Sequence, residues 1–230
     1  MFDKNLLEGK RILVTGGGSG LGKEMSRHFL TYGAEVIICG RRDEVLQKTA
    51  KELNDETKGK ITAHSLDIRD SLAIEETINN VFDEGPLDGL VNNAAGNFIS
   101  RTNDLSPNGF NAIASIVFHG TFNMTNTVGK KWIELKQPGT ILSITTTWVW
   151  TGSPFVVPSA MSKSGINAMT KSLAVEWGPH NIRLNCIAPG PFPTEGAWSR
   201  LSPDTEATEG AMDQLSLIHI SEPTRLRSIS

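Results

Sequence analysis

Two periods of apolar positions alternate along the chain. "KRILVTG" (10–16) and "AEVIICG" (34–40) are short β-branched runs ending in glycine and read as buried strands. Between them "LGKEMSRHFLTYG" (21–33) has helical spacing and stops at Gly33. The same alternation continues through helix 42–56, strand 60–68, helix 70–84 and strand 87–95. A long helical region follows over 104–135, with a break expected near "FHGTF". Strand 139–147, a long helix over 157–178 and a sixth strand over 181–190 complete the pattern. In the long helix Pro158 suits the first turn and Gly178 the end. Strands that are apolar throughout are buried on both faces, so the expected fold is α/β. It is a doubly wound parallel sheet of Rossmann type in a single domain over 1–212.

Composition narrows the function without choosing it. The 230 residues are 38% hydrophobic and carry 22 basic against 25 acidic side chains, a net charge of −3. Nothing there suggests the basic stripe of a nucleic-acid binder. No apolar run approaches the length of a membrane span, and the N-terminus lacks the apolar stretch of a signal peptide, so a cytoplasmic location is expected. Cys39 and Cys186 stand far apart in apolar runs and are expected to be reduced core residues. No ligand spacing for a metal is present.

The first β-to-α turn reads Thr15-Gly16-Gly17-Gly18-Ser19-Gly20-Leu21-Gly22, with glycines at GxxxGxG spacing. Glycines between a strand and a helix let the backbone approach a pyrophosphate and leave helix N–H groups aimed at it. Where an acid at the end of the second strand would hold the ribose of NAD, this chain has Gly40 followed by Arg41 and Arg42. A guanidinium grips a 2′-phosphate through paired hydrogen bonds, which favours NADP(H). Read otherwise, the two arginines are a solvated helix start, partly offset by Asp43.

In order along the chain, "TGGGSGLG", "LDI" (66–68), "NNAAG" (92–96), the helix bearing Lys163 and "PGPFPT" (189–194) resemble the short-chain dehydrogenase/reductase family, from about residue 8 to 201. The resemblance implies a nucleotide site of Thr15, Gly16, Ser19, Gly20, Leu21 and Gly22 at the phosphates, with Asp67 and Ile68 beside the adenine. Asn92, Asn93, Ala94 and Gly96 would line the adenosine side, and Lys163 would hold the nicotinamide ribose. Pro189, Gly190, Phe192 and Thr194 would face the nicotinamide and pyrophosphate. "NNAAGNFIS", "LSPNGF", "SITTT", "GSPFVVPSA" and "LAVEWG" are most similar to the 2,4-dienoyl-CoA reductase branch, which implies NADPH, an acyl-CoA-like substrate, a role in fatty-acid oxidation and a homo-oligomer.

The family's Tyr-x-x-x-Lys pair is here Ser159-x-x-x-Lys163, and Tyr32 is the single tyrosine. Ser159 and Lys163 lie one turn apart on one helix face. A serine cannot protonate an alkoxide as a phenol beside a lysine can. A conjugated thioester asks less: the charge collects on its oxygen as a dienolate, and hydrogen-bond donors suffice. The resemblance gives Asn97 as one such donor, the other reading being a turn residue. Ser159 donates to substrate or to a helix carbonyl. Trp148 stands where the branch has a tyrosine, as an N–H donor or an apolar wall, and Thr146 keeps the hydroxyl of the family's serine. His119 stands for the family's asparagine, either structural or part of a proton relay. "TWVWTGSPF" (147–155) is expected to overhang the cleft, as an acyl-chain wall or an interface patch. The competing readings are a reductase of another conjugated carbonyl and a nucleotide-binding protein without turnover. After about Met212 the sequence lacks the expected seventh strand, and 213–230 reads as a non-native tail.

Overall fold

The computed structural model describes residues 2–190. Its sheet has six strands: β1 (Arg11–Thr15), β2 (Glu35–Gly40), β3 (Ile61–Ser65), β4 (Gly89–Asn92), β5 (Gly139–Ile144) and β6 (Ile182–Ile187). They are ordered β3-β2-β1-β4-β5-β6, every pair parallel. Helices α1 (Gly20–Thr31), α2 (Asp43–Thr57) and α3 (Ser71–Asp83) connect the first four strands. Helices α4 (Pro107–Ala114), α5 (Thr121–Glu134), the short α6 (Trp148–Thr151) and α7 (Val157–Glu176) serve the rest. This is the expected α/β Rossmann-type fold. The order of strands reverses between β1 and β4, and that crevice at their carboxyl ends is where such sheets take their ligands.

Period-two alternation sorts each strand's side chains onto two cores. Ile12, Val14, Val36, Ile38 and Val91 meet Leu30 of α1 and Leu46 and Leu53 of α2. Leu13, Ile37, Leu90, Ile141 and Leu184 face the other way, onto Ile74 and Ile78 of α3 and Met124, Val128 and Trp132 of α5. Trp132 is fully buried, and its indole N–H donates to the Leu87 carbonyl at 2.6 Å. Helix starts follow local chemistry. Asp70 accepts from the N–H groups of Leu72 and Ala73, and Ser106 accepts from Gly109 N–H ahead of Pro107. Helix α1 ends where Gly33 takes a φ of +92°.

Four expectations change. The helix over 104–135 is not broken at "FHGTF": α4 runs into α5 through a π-helical turn, Ser115–Gly120. The turn buries Val117 and presses Gly120 against Ile68, where an added Cβ would come within 2.7 Å of the isoleucine side chain. All strands but β2 stop short of their expected carboxyl ends, because the chain there leaves the ladder to line the crevice. Cys39 is buried as expected, but Cys186 is only half-buried, its thiol 3.1 Å from the Thr170 hydroxyl. Helix α7 stops at Glu176, with a short 3₁₀ turn over Gly178–His180, and the left-handed residue is Asn181 rather than Gly178. Phe192, Thr194, the expected loss of a seventh strand and the 213–230 tail lie outside the described residues.

Candidate active site

The turn from β1 to α1 is shaped by close contact. Gly16 and Gly20 have φ of +66° and +53°, a region that glycine enters without strain. A Cβ on Gly22 would lie 2.3 Å from the Gly16 carbonyl oxygen, and one on Gly17 2.4 Å from the Ile38 side chain. Ser19 caps α1 in extended conformation but makes no side-chain capping bond, unlike Asp70 and Ser106. The first N–H groups of α1 are thus left for a ligand of negative charge. Bare backbone at the turn and open helix donors fit a dinucleotide pyrophosphate.

Thr15 holds the far wall. Its hydroxyl accepts from the N–H groups of Asn93 and Ala94, both at 3.0 Å, and donates to Val91 O. The Asn93 amide donates back to Thr15 O at 3.0 Å and to Gly16 O at 3.3 Å. Asn93 therefore ties β4 to the glycine turn with its side chain. Asn92 does not line the crevice: it is buried, donating to Thr125 at 2.9 Å and Ser143 at 3.3 Å. Ile68 also turns its side chain into the core, so only its backbone can meet an adenine. Arg41 and Arg42 are exposed just beyond β2. Asp67 is half-buried and paired with Arg69, a partner that the sequence did not single out. Arg69 holds the Asp67 carboxyl below its ordinary range, with a smaller contribution from Arg41.

On the nicotinamide side Lys163 and Ser159 are both buried on one face of α7. Lys163 donates its ammonium to the Ile144 carbonyl, where β5 ends. Burial pulls its pKa down to about 8, opposed by the Cys186 thiol nearby. Among the described residues it has no carboxylate partner. Of the two partners open to Ser159, substrate or a helix carbonyl, the carbonyl is not taken; Ser162 donates to Pro158 O at 2.7 Å. Among the described residues the Ser159 hydroxyl has no partner. Thr145 spends its hydroxyl on Ile187 O at 3.1 Å, whereas that of Thr146 has no partner among the described residues. Half-buried Trp148 opens α6, which packs on α7. Asn97 accepts from Phe98 N–H at 3.0 Å through Oδ1, so it does serve its turn, and among the described residues its amide N–H₂ has no partner. The loop carrying it is tied to the segment before α7 by Ser100 N–H to Phe155 O at 2.9 Å.

Strand ends and these ties gather Lys163, Ser159, Thr146, Trp148 and Asn97 at one end of the sheet. His119, unlike Lys163 and Ser159, is not buried. It is exposed on the π-turn, edge-on to Phe118 with ring centroids 5.4 Å apart, while Val117 takes the buried position. Trp150 and Phe155 are exposed. Cavities of ≈ 560 and ≈ 260 Å³ lie along β6 and the second half of α7. They flank the edge strand, and none of Lys163, Ser159, Thr146, Trp148 and Asn97 lines them.

A family model described as short chain dehydrogenase matches residues 10–204. The chain belongs to the short-chain dehydrogenase family. An uncharacterized oxidoreductase of Caenorhabditis elegans is 48% identical over 199 residues, 85% of this chain and 63% of that protein. A probable 2,4-dienoyl-CoA reductase [(3E)-enoyl-CoA-producing] of the same organism is 46% identical over 198 residues, 85% of this chain and 64% of that protein. The chain thus spans under two thirds of the length of both. Among solved structures, a gluconate 5-dehydrogenase from Burkholderia cenocepacia in complex with NADP and tartrate has a TM-score of 0.84 at 26% identity, covering 92% of this chain and 82% of that one. Short-chain dehydrogenases are oxidoreductases that use NAD(H) or NADP(H), and the glycine turn and open α1 donors are the parts of this member that fit such a cofactor.

Proposed function

We propose that this short-chain dehydrogenase is an NADPH-dependent reductase of a conjugated enoyl or dienoyl thioester, of the 2,4-dienoyl-CoA type. One observation carries the reading: the buried Lys163 has a serine, not a phenol, one turn before it. Tyr32 cannot substitute, because it caps the far end of α1, its ring edge-on to Phe2. A site without a strong acid is poorly suited to protonating an alkoxide and compatible with stabilising a delocalised anion.

NADPH, when bound, supplies the hydride. Arg41 and Arg42, with no carboxylate at the end of β2, favour its 2′-phosphate. Lys163 holds the ribose and adds positive potential, and the free amide of Asn97 donates to the thioester oxygen as it gains charge. The hydroxyls of Ser159 and Thr146 and the indole N–H of Trp148 are further donors for that oxygen. Hydride at the δ-carbon and a proton from water at the α-carbon leave the double bond between the β- and γ-carbons. That is the product class in the name of the second C. elegans relative. Trp150 and Phe155 offer apolar surface to the acyl chain.

The test measures, in parallel, NADPH oxidation with 2,4-dienoyl-CoA and with a simple ketone, and NADP⁺ reduction with an alcohol. Turnover on the dienoyl thioester alone is expected. Activity confined to ketone or alcohol overturns the mechanism, and NADPH binding without oxidation on any enoyl-CoA favours a nucleotide-binding protein.

A further inference from the structure

Strands β2 and β3 run side by side to the same rim of the crevice. Gly40 is in register with Ser65, and Leu66 N–H donates to Gly40 O at 2.8 Å. Arg41 follows the one strand and Asp67 the other. A carboxylate here is a problem for a cofactor chosen for its 2′-phosphate, since it repels the group that Arg41 would attract. Asp67 is not left open, however. Arg69 Nε lies 2.9 Å from both of its carboxylate oxygens, Arg69 Nη2 bonds Oδ2, and the Arg69 backbone N–H donates to Oδ1 at 3.0 Å. A turn closed by Asp70 N–H on Asp67 O, at 3.0 Å, holds the pair in place. Asp43, which opens α2, accepts from Gln47 of its own helix at 3.2 Å.

We propose that Arg69 is a positioning residue for cofactor choice: by closing an ion pair over Asp67 it cancels the carboxylate beside Arg41 and keeps the rim positive for a 2′-phosphate. The inference rests on the NADPH reading above. Without Arg69, the rim would set two guanidinium groups against a newly open carboxylate. Arg69 acts through Asp67 rather than by touching the cofactor, and that distinction can be measured.

The measurement is the dissociation constant of NADPH and of NADH, by fluorescence titration, for wild type, Arg69→Ala, Asp67→Asn and the double variant. The ratio of the two constants is the readout, because weaker adenine binding in the Asp67 variants affects both cofactors alike and cancels. Wild type is expected to prefer NADPH. Arg69→Ala should lower that preference roughly fivefold, the scale of one partly exposed charge pair. Adding Asp67→Asn should restore it. A melting curve for each variant separates altered choice from altered folding, and Arg69→Gln repeats the test should the alanine variant not fold. An unchanged ratio in the Arg69 variant overturns the inference, as does a double variant no better than the single one. Wild type preferring NADH would overturn the NADPH reading itself, and the inference with it.

Discussion

Ser159 and Asn97 differ in what their side chains are free to do, and the mechanism asks different things of them. In the proposed mechanism the amide of Asn97 is the donor, held by a turn in which its Oδ1 accepts from Phe98 N–H. Losing an oxyanion donor typically costs 10²–10³-fold in kcat. Asn97→Ala is therefore expected to lower kcat on a dienoyl thioester by about 10²-fold with little change in NADPH affinity. Ser159→Ala should cost less than about tenfold, since its hydroxyl is one of three further donors that share the oxygen with Asn97 and no proton must pass through it. Steady-state kinetics on both variants decides the matter, and a collapse in Ser159→Ala would show that the hydroxyl is required after all. Lys163 adds a pH signature. Burial lowers its pKa to about 8 from 10.5, so the folded chain sheds that proton before the unfolded chain does. The charged lysine thus weakens the fold fully below pH 8, and stability returns as pH rises from there toward 10.5. Lys163→Met removes the penalty. Its gain over wild type should be greatest at neutral pH, on the order of 3 kcal/mol, and fade near about pH 10 in urea unfolding, while turnover is lost.

At the scale of elements, the turn between β1 and α1 binds through what it lacks. Gly22→Ala puts a methyl group 2.3 Å from the Gly16 carbonyl oxygen, a backbone atom that cannot swing away. Overpacking of this kind costs about 1–3 kcal/mol. Gly178→Ala meets nothing within 4 Å and serves as the control. NADPH is expected to raise the melting temperature of wild type and Gly178→Ala but not of Gly22→Ala. The turn was legible because glycine spacing between a strand and a helix is local. The six strands and their connecting helices were legible for the same reason, each announcing itself by its own period. Three things were not. A π-turn advances the chain one residue further than the α period, so nothing in the spacing shows that Val117 goes inside and His119 outside. The pairing of Arg69 with Asp67 depends on a turn two residues wide that composition does not reveal. The role of Asn92 in the core depends on Thr125 and Ser143, partners from distant segments.

Across the whole molecule, stability and chemistry sit at opposite ends of one sheet. The candidate site lies at the carboxyl ends of the strands, where the chain leaves the ladder and, among the described residues, donors go unused. The amino ends are closed by Arg11, whose buried guanidinium reaches Glu35 at 2.9 Å, Glu84 at 2.6 Å and the carbonyls of Val81 and Gly85. One side chain thereby joins β1, β2 and the end of α3. Glu35 keeps Lys60 at 2.9 Å if Arg11 is removed, and Glu84 can turn to water, so the main loss is the two carbonyls. Leaving buried acceptors unsatisfied costs about 1–3 kcal/mol each at most. Arg11→Met is therefore expected to lower the unfolding free energy by about 2–6 kcal/mol. The folded fraction should keep wild-type kcat, because nothing at the carboxyl ends has moved. Urea unfolding and active-site-normalised turnover, measured on the same preparation, test both halves. A fall in kcat per folded molecule would mean that strain at the amino ends reaches the site through β1, and the two ends of the sheet would not be independent.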